Sequence, residues 1–231
     1  MQAVIIASDP CFELKPLTYH VPKPLIRLGD KCIIEHTLSP LPEIVTELII
    51  IVGHLGEQIK NFCGPLFKKR RVTYIKQKKH LGSARALHLA KDTLASRFLV
   101  VPSDGIYNRA DIERCLEYDQ CVLAREVKGK FMGERIILDG EGYLKDIIPG
   151  VHDKNATLAN TGLYVMTKAI FNYELVPGKD NKKCEISPTL VRAAKDFPVF
   201  VEKSDFYLPV TDMAGIKRAT RVLKNKELNR Y

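Results

Sequence analysis

Short apolar bursts punctuate the chain at residues 3–7 (AVIIA), 47–53 (ELIIIVG), 72–75 (VTYI), 97–101 (RFLVV), 120–124 (QCVLA), 135–138 (RIIL), 161–166 (TGLYVM) and 198–202 (PVFVE). Several are unbroken runs rather than alternations, the pattern of strands covered on both faces. Helical spacing fills the gaps at 33–41, 55–62, 83–94, 109–117, 187–195 and 213–224. In 83–94 the apolar residues Ala84, Leu87, Ala90 and Leu94 recur at that spacing, which places the first turn directly after Gly82. Strands alternating with helices predict an α/β fold, a three-layer Rossmann-like sandwich with a mixed, mainly parallel sheet. The stretch 134–146 changes character and reads as a small antiparallel hairpin insertion turning at Asp139 and Gly140. The final helix, with Ile216, Ala219, Val222 and Leu223 on one face, is expected to pack back on the body.

Composition changes this picture little. With 231 residues, 45% of them apolar, one domain over 1–231 is the default. No apolar run approaches the twenty or so residues of a spanning helix, and Met1 leads straight into a strand, so a cytoplasmic protein with no membrane partner is expected. The six cysteines, Cys11, Cys32, Cys63, Cys115, Cys121 and Cys184, form no C-x-x-C pair and read as buried free thiols. The formal charge of +9 gathers at KKRR (68–71), KQKK (76–79) and the C-terminus. These runs flank the predicted elements with little aromatic interleaving, as solvated faces do, and nucleic acid is not an expected partner.

Five segments in order carry a resemblance: KPLTYHVPKPLIRLGDKCIIEHTL (15–38), ELIIIVGHLGEQIKNFCG (47–64), QKKHLGSARALHLAKD (77–92), VVPSDGIY (100–107) and ANTGLYVM (159–166). Together they resemble the sugar-phosphate nucleotidylyltransferases, which join a nucleoside triphosphate to a sugar 1-phosphate and release pyrophosphate. The resemblance implies the nucleotide-diphospho-sugar transferase fold, a nucleotide or nucleotide-sugar ligand, and Mg2+ as cofactor. No left-handed β-helix repeat follows the core, so any homo-oligomer is expected to use the core itself.

It also assigns roles. Lys23, stiffened between two prolines, is the candidate to place an ammonium on a transferring phosphoryl group, against the plain reading of a turn lysine. Gly82 would let backbone amides approach a base or phosphate, and Gln77 would read a base edge unless it merely faces solvent. Asp104, at the carboxyl end of the strand 97–101, is the candidate magnesium ligand. Asn160, Thr161 and Gly162 would face the sugar-phosphate half of the cleft, and Glu185 would bond a sugar hydroxyl.

The departures from the family pattern are as specific as the matches. Where the family has A-G-G-x-G-T-R-L, this chain reads Ala7, Ser8, Asp9, Pro10, Cys11, Phe12, Glu13 and Leu14. Every glycine is gone, and Pro10 removes a donor as well. Asp9 and Glu13 bring negative charge toward the triphosphate, where one like-charge contact at about 4 Å costs on the order of 4 kcal/mol at an effective dielectric near 20. The family's second metal-binding aspartate aligns with Pro209, leaving Asp212 as a substitute only in a rebuilt loop, and IIPG (147–150) stands where a Glu-Lys pair is expected. Two readings follow: a divergent transferase, or a catalytically inactive member acting as a regulatory or sensor subunit beside a partner.

Overall fold

The apolar runs become strands in a computed structural model that describes residues 1–178 and 182–228. The strands are β1 (Gln2–Ala7), β2 (Arg27–Leu28), β3 (Lys31–Cys32), β4 (Glu47–Val52), β5 (Leu66–Phe67), β6 (Arg70–Lys76), β7 (Arg97–Pro102), β8 (Gly105–Tyr107), β9 (Cys121–Leu138), β10 (Leu144–Thr167), β11 (Phe200–Lys203) and β12 (Tyr207–Pro209). The helices are α1 (Ile33–Leu38), α2 (Gly56–Cys63), α3 (Ser83–Leu89), α4 (Arg109–Cys115), α5 (Ile186–Ala193) and α6 (Met213–Leu228). Eight strands form one sheet in the order β11-β9-β10-β7-β1-β4-β6-β5. Its centre is parallel: β1 lies between β4 and β7, with Ile5 level with Ile50 and Val101.

Period-two geometry sorts the continuous runs onto two faces. Ala3, Ile5, Ala7, Leu48, Ile50, Leu99 and Val101 pack with Ile34 and Leu38 of α1, Ile59 of α2 and Ile112 of α4. Their neighbours Val4, Ile49, Ile51, Phe98 and Val100 pack on the other face with Ala84 and Leu87 of α3 and Ile186 and Leu190 of α5. That is the expected three-layer α/β sandwich, with a mixed sheet whose core is parallel. The final helix docks as its pattern predicts: Ile216, Ala219, Val222 and Leu223 meet Ile33, Ile106 and Leu208.

Two expectations change. The hairpin is much longer than 134–146: the separate runs 120–124, 135–138 and 161–166 fuse into β9 and β10, of 18 and 24 residues. The ribbon curls until Leu158 is level with both Glu126 and Ile136 of β9, so one hairpin flanks itself. Its turn also differs. Residues 139–143 form a wider loop in which Asp139 N–H donates to the Tyr143 carbonyl and Asp139 Oδ1 accepts from Glu141 and Tyr143 N–H, each at 2.9 Å. Positive φ falls on Gly142, at 92°, rather than Gly140. Helix α3 stops at Leu89, but tight turns carry Ala90 N–H to Leu87 O and Leu94 N–H to Ala90 O, so Leu94 still reaches the core.

All six cysteines are buried and free. Burial pushes the Cys32 thiol up to about 11, the Cys63 thiol up to about 12 and the Tyr74 phenol up to about 12. These groups stay neutral in the folded chain and ionise first when it unfolds. Their stabilising contribution is therefore complete below the ordinary thiol range and drains away as pH rises through 9 toward 12. Denaturation midpoints should fall steeply across that window, and Cys63→Ala should make the fall shallower by part of one proton; a flat profile would contradict this burial account.

Candidate active-site cleft

Parallel β1 and β7 end side by side, and a cleft of about 200 Å³ opens beyond their carboxyl ends. Its lining includes Ser8, Asp9, Lys23, His80, Gly82, Ser83, Asp104, Lys183 and Glu185. The chain thus brings Lys23, Gly82, Asp104 and Glu185 together from segments far apart in sequence. Gln77 stands immediately behind them, 6% exposed.

Each of these groups already has a partner in the chain. Lys23, held on a short 3-10 turn (Lys23–Leu25), is 7% exposed and sets its Nζ 2.7 Å from Asp104 Oδ2. Burial works to lower its pKa, but the charge of Asp104 and the hydrogen bond to it outweigh that, and the net shift is upward. The Gln77 carbonyl accepts from Ser8 Oγ at 2.5 Å, and its amide donates to Gly82 O at 3.3 Å.

The helix start expected to receive a base or phosphate is filled by the protein itself. Gly82 precedes α3 with φ 93°, and a Cβ there would lie 2.3 Å from Cys184 O. Ser83 N–H and Oγ both donate to Glu185 Oε2, at 2.9 and 2.6 Å, while Ala84 N–H donates to Cys184 O at 2.9 Å. Glu185 therefore caps α3 with the oxygen that the sequence reading directs to a sugar hydroxyl.

The glycine-less loop is likewise closed on itself. Asp9 Oδ1 accepts from Cys11 N–H at 2.8 Å, Cys11 adopts φ 46°, and its carbonyl accepts from Thr18 Oγ1 at 3.0 Å. Asp9 lines the cleft, whereas Glu13 lies exposed on the turn Phe12–Leu14 and is not in the lining. Of the two acids in this loop, Asp9 rather than Glu13 is placed to oppose an anion in the cleft.

The remaining predicted residues lie elsewhere. Asn160 Nδ2 donates to Glu134 Oε2 at 2.7 Å and to the Tyr164 hydroxyl at 2.6 Å, and Ser187 Oγ adds a 2.7 Å bond to Glu134 Oε2. Thr161, 4% exposed, turns inward, its hydroxyl donating to Leu123 O at 2.7 Å. Gly162 packs so tightly that a Cβ would meet Pro102 Cγ at 2.6 Å. Glu134, which accepts from both Asn160 and Ser187, stands opposite Pro149 in the hairpin. Sequence reasoning missed it, along with His80 and Lys183. His80 Nδ1 is buried and meets no hydrogen-bond partner, and Nε2 lies 3.9 Å from Asp9 Oδ1 at the edge of the cleft.

Of the magnesium ligands expected from the sequence, the cleft holds Asp104 alone. Mg2+ is usually held by one or two carboxylates together with substrate phosphates. Asp104 commits Oδ2 to Lys23, and Pro209 sits beside it, paired with Gly105, while Val210 N–H donates to Asp104 O at 2.9 Å. The second-ligand position is therefore occupied by a ring without a donor oxygen. Asp212 does not substitute: its Oδ1 accepts from Gly215 N–H at 2.6 Å and its carbonyl from Ile216 N–H, capping α6. Among the described residues no three His, Cys, Asp or Glu side chains are grouped to hold a metal. Nor, among those residues, is any helix long and apolar enough to cross a membrane.

Residues 2–125 match the family model described as nucleotidyl transferase. The bifunctional protein GlmU of Methanocaldococcus jannaschii is 29% identical over 172 residues, 74% of this chain and 41% of that protein. The UTP–glucose-1-phosphate uridylyltransferase AglF of Haloferax volcanii is 27% identical over 199 residues, 82% of each chain. Against the GlmU relatives the match spans about two fifths of their length. The fold superposes on a structure described as a glucose-1-phosphate thymidylyltransferase from Bacillus anthracis with TM-score 0.83 at 23% identity, over 96% of this chain and 94% of that one. It superposes on UDP-glucose pyrophosphorylase complexed with UDP-glucose with TM-score 0.79 at 18% identity, over 97% and 98% of the two chains.

Proposed function

The chain belongs to the nucleotidyl transferase family, and from that premise we propose a divergent sugar-phosphate nucleotidyltransferase whose cleft binds a nucleotide sugar while condensation of a triphosphate with a sugar 1-phosphate is slow or absent. It acts in this reading as a ligand-sensing, regulatory member of the family. The observation that carries it is the internal pairing of the cleft: Lys23 with Asp104, the α3 amides with Glu185 and Cys184, Gln77 with Ser8.

In-line displacement at a phosphate is driven by positioned positive charge and donors. A triphosphate entering this cleft meets Lys23 and Lys183 against Asp9, Asp104 and Glu185. It must also pull Lys23 away from Asp104 before that ammonium can serve the transition state. A nucleotide sugar asks less, since it carries about two fewer charges and its sugar hydroxyls suit Ser8, Ser83, His80 and the carboxylates as hydrogen-bond partners. The second reading, an active transferase, rests on Lys23 keeping a buried place in the cleft.

Calorimetric titration separates the two affinities. With exposed like-charge contacts screened to at most about 1 kcal/mol each, UDP-glucose should bind about tenfold more tightly than UTP. UTP displacing bound UDP-glucose from the cleft with an affinity equal to or above that of UDP-glucose itself would refute the reading.

A further inference from the structure

A larger groove, of about 600 Å³, adjoins the cleft between the end of β6 and α3. Lys76, Lys78, Lys79, Arg85 and His88 border it, Leu81, Leu89 and Leu175 give it apolar lining, and no carboxylate of the described residues lines it. Glu57 lies within electrostatic reach of Lys76, and its Oε1 is already 2.9 Å from Lys60 Nζ. The charge contrast with the cleft is clear: three carboxylates face two lysines there, whereas every charged residue of the described groove lining is basic.

We propose that this groove is a second ligand site, taking a small polyanion with a flat or apolar body, by class a nucleoside polyphosphate. Its volume lies within the range of about 300–1,000 Å³ usual for small-molecule sites. Clustered cations without acids supply the attraction for phosphate, and the leucines supply surface for a base. A nucleic-acid strand fits less well, because the described lining includes no Phe, Tyr or Trp on which successive bases would stack. The site also reaches the cleft. Gln77 borders the groove while its side chain bonds Ser8 and Gly82, so the segment carrying Lys76–Gly82 walls both spaces. The inference holds whether or not the cleft transfers a nucleotidyl group.

The test is calorimetric titration of the full chain with ATP, sodium tripolyphosphate and a single-stranded oligothymidylate, each repeated on a Lys79→Glu/Arg85→Glu variant. Both side chains are exposed, and the variant's melting temperature reports whether the fold is kept. ATP should bind at a site that persists under saturating UDP-glucose, should exceed tripolyphosphate in affinity, and should lose about tenfold or more on charge reversal. Equal ATP affinity in a folded variant, competition by UDP-glucose, or tripolyphosphate binding as tightly as ATP would overturn the proposal. So would oligothymidylate binding more tightly than ATP with the same sensitivity to charge reversal. Failure of UDP-glucose to bind at all counts against the cleft reading, and the charge-reversal comparison with ATP then decides the groove by itself.

Discussion

Asp104→Ala is expected to lower the free energy of unfolding by about 2–3 kcal/mol, because it strands a buried ammonium without its counter-charge. The Lys23 side chain is 8% exposed and that of Asp104 29%, so the vacated position admits some water and the loss falls below that of a fully enclosed pair. The companion variant is Lys23→Met/Asp104→Leu. Removing both charges should cost less than Asp104→Ala alone, since replacing a buried pair with apolar groups spares the desolvation of either ion. Urea denaturation of Lys23→Met, Asp104→Leu and the double variant gives the coupling by a double-mutant cycle. Additive losses would mean that the 2.7 Å contact is energetically idle and that Lys23 stands ready for a ligand.

Gly82→Ala should cost on the order of 3–5 kcal/mol, from a side chain forced into positive φ and driven against backbone. The obstacle is Cys184, whose carbonyl oxygen, carbon and nitrogen would lie 2.3, 2.7 and 2.7 Å from the new Cβ. Cys184 cannot retreat cheaply, because its N–H donates to Leu81 O and its carbonyl accepts from Ala84 N–H, both at 2.9 Å. The same displacement would lift Glu185 from Ser83 and open the start of α3. Gly140→Ala is the control: its Cβ would meet nothing within 4 Å, and its effect should stay within about 0.5 kcal/mol. A loss under about 1 kcal/mol at Gly82 would show that the 184–185 segment is free to move and that the helix start is available to ligand.

These two positions also mark what the sequence could and could not tell. Runs such as IIIV in β4 identify a doubly covered parallel core because both faces demand apolar residues, and Ile49 and Ile50 do go to opposite clusters. Gly82 and Asp104 were legible because a strand-to-helix turn and a strand end fix their places, and Lys23 through the P-K-P-L resemblance. The long ribbon was not legible, since polar and glycine residues at 125–134 erase the apolar signal that local pattern reading needs, and pairing across the hairpin sets its course instead. Pairing was invisible for the same reason. That Glu185 would cap Ser83, 102 positions away, or that Ser8 would occupy Gln77, depends on tertiary approach that no spacing encodes. His80 was overlooked because a histidine between a lysine pair and a turn has no motif of its own, and only its buried, unpartnered Nδ1 draws attention to it.

The most direct test of the central claim is a continuous pyrophosphate-release assay on the unaltered protein, run with each common nucleoside triphosphate against a set of sugar 1-phosphates in excess Mg2+. A cleft whose cations and amides are internally paired, and whose Asp104 has Pro209 for a neighbour, should release pyrophosphate at least about a thousandfold below an ordinary turnover of roughly ten per second. Release near ten per second with any pair would contradict the account. It would show that Lys23 leaves Asp104 on substrate binding and that the glycine-less loop still holds a triphosphate.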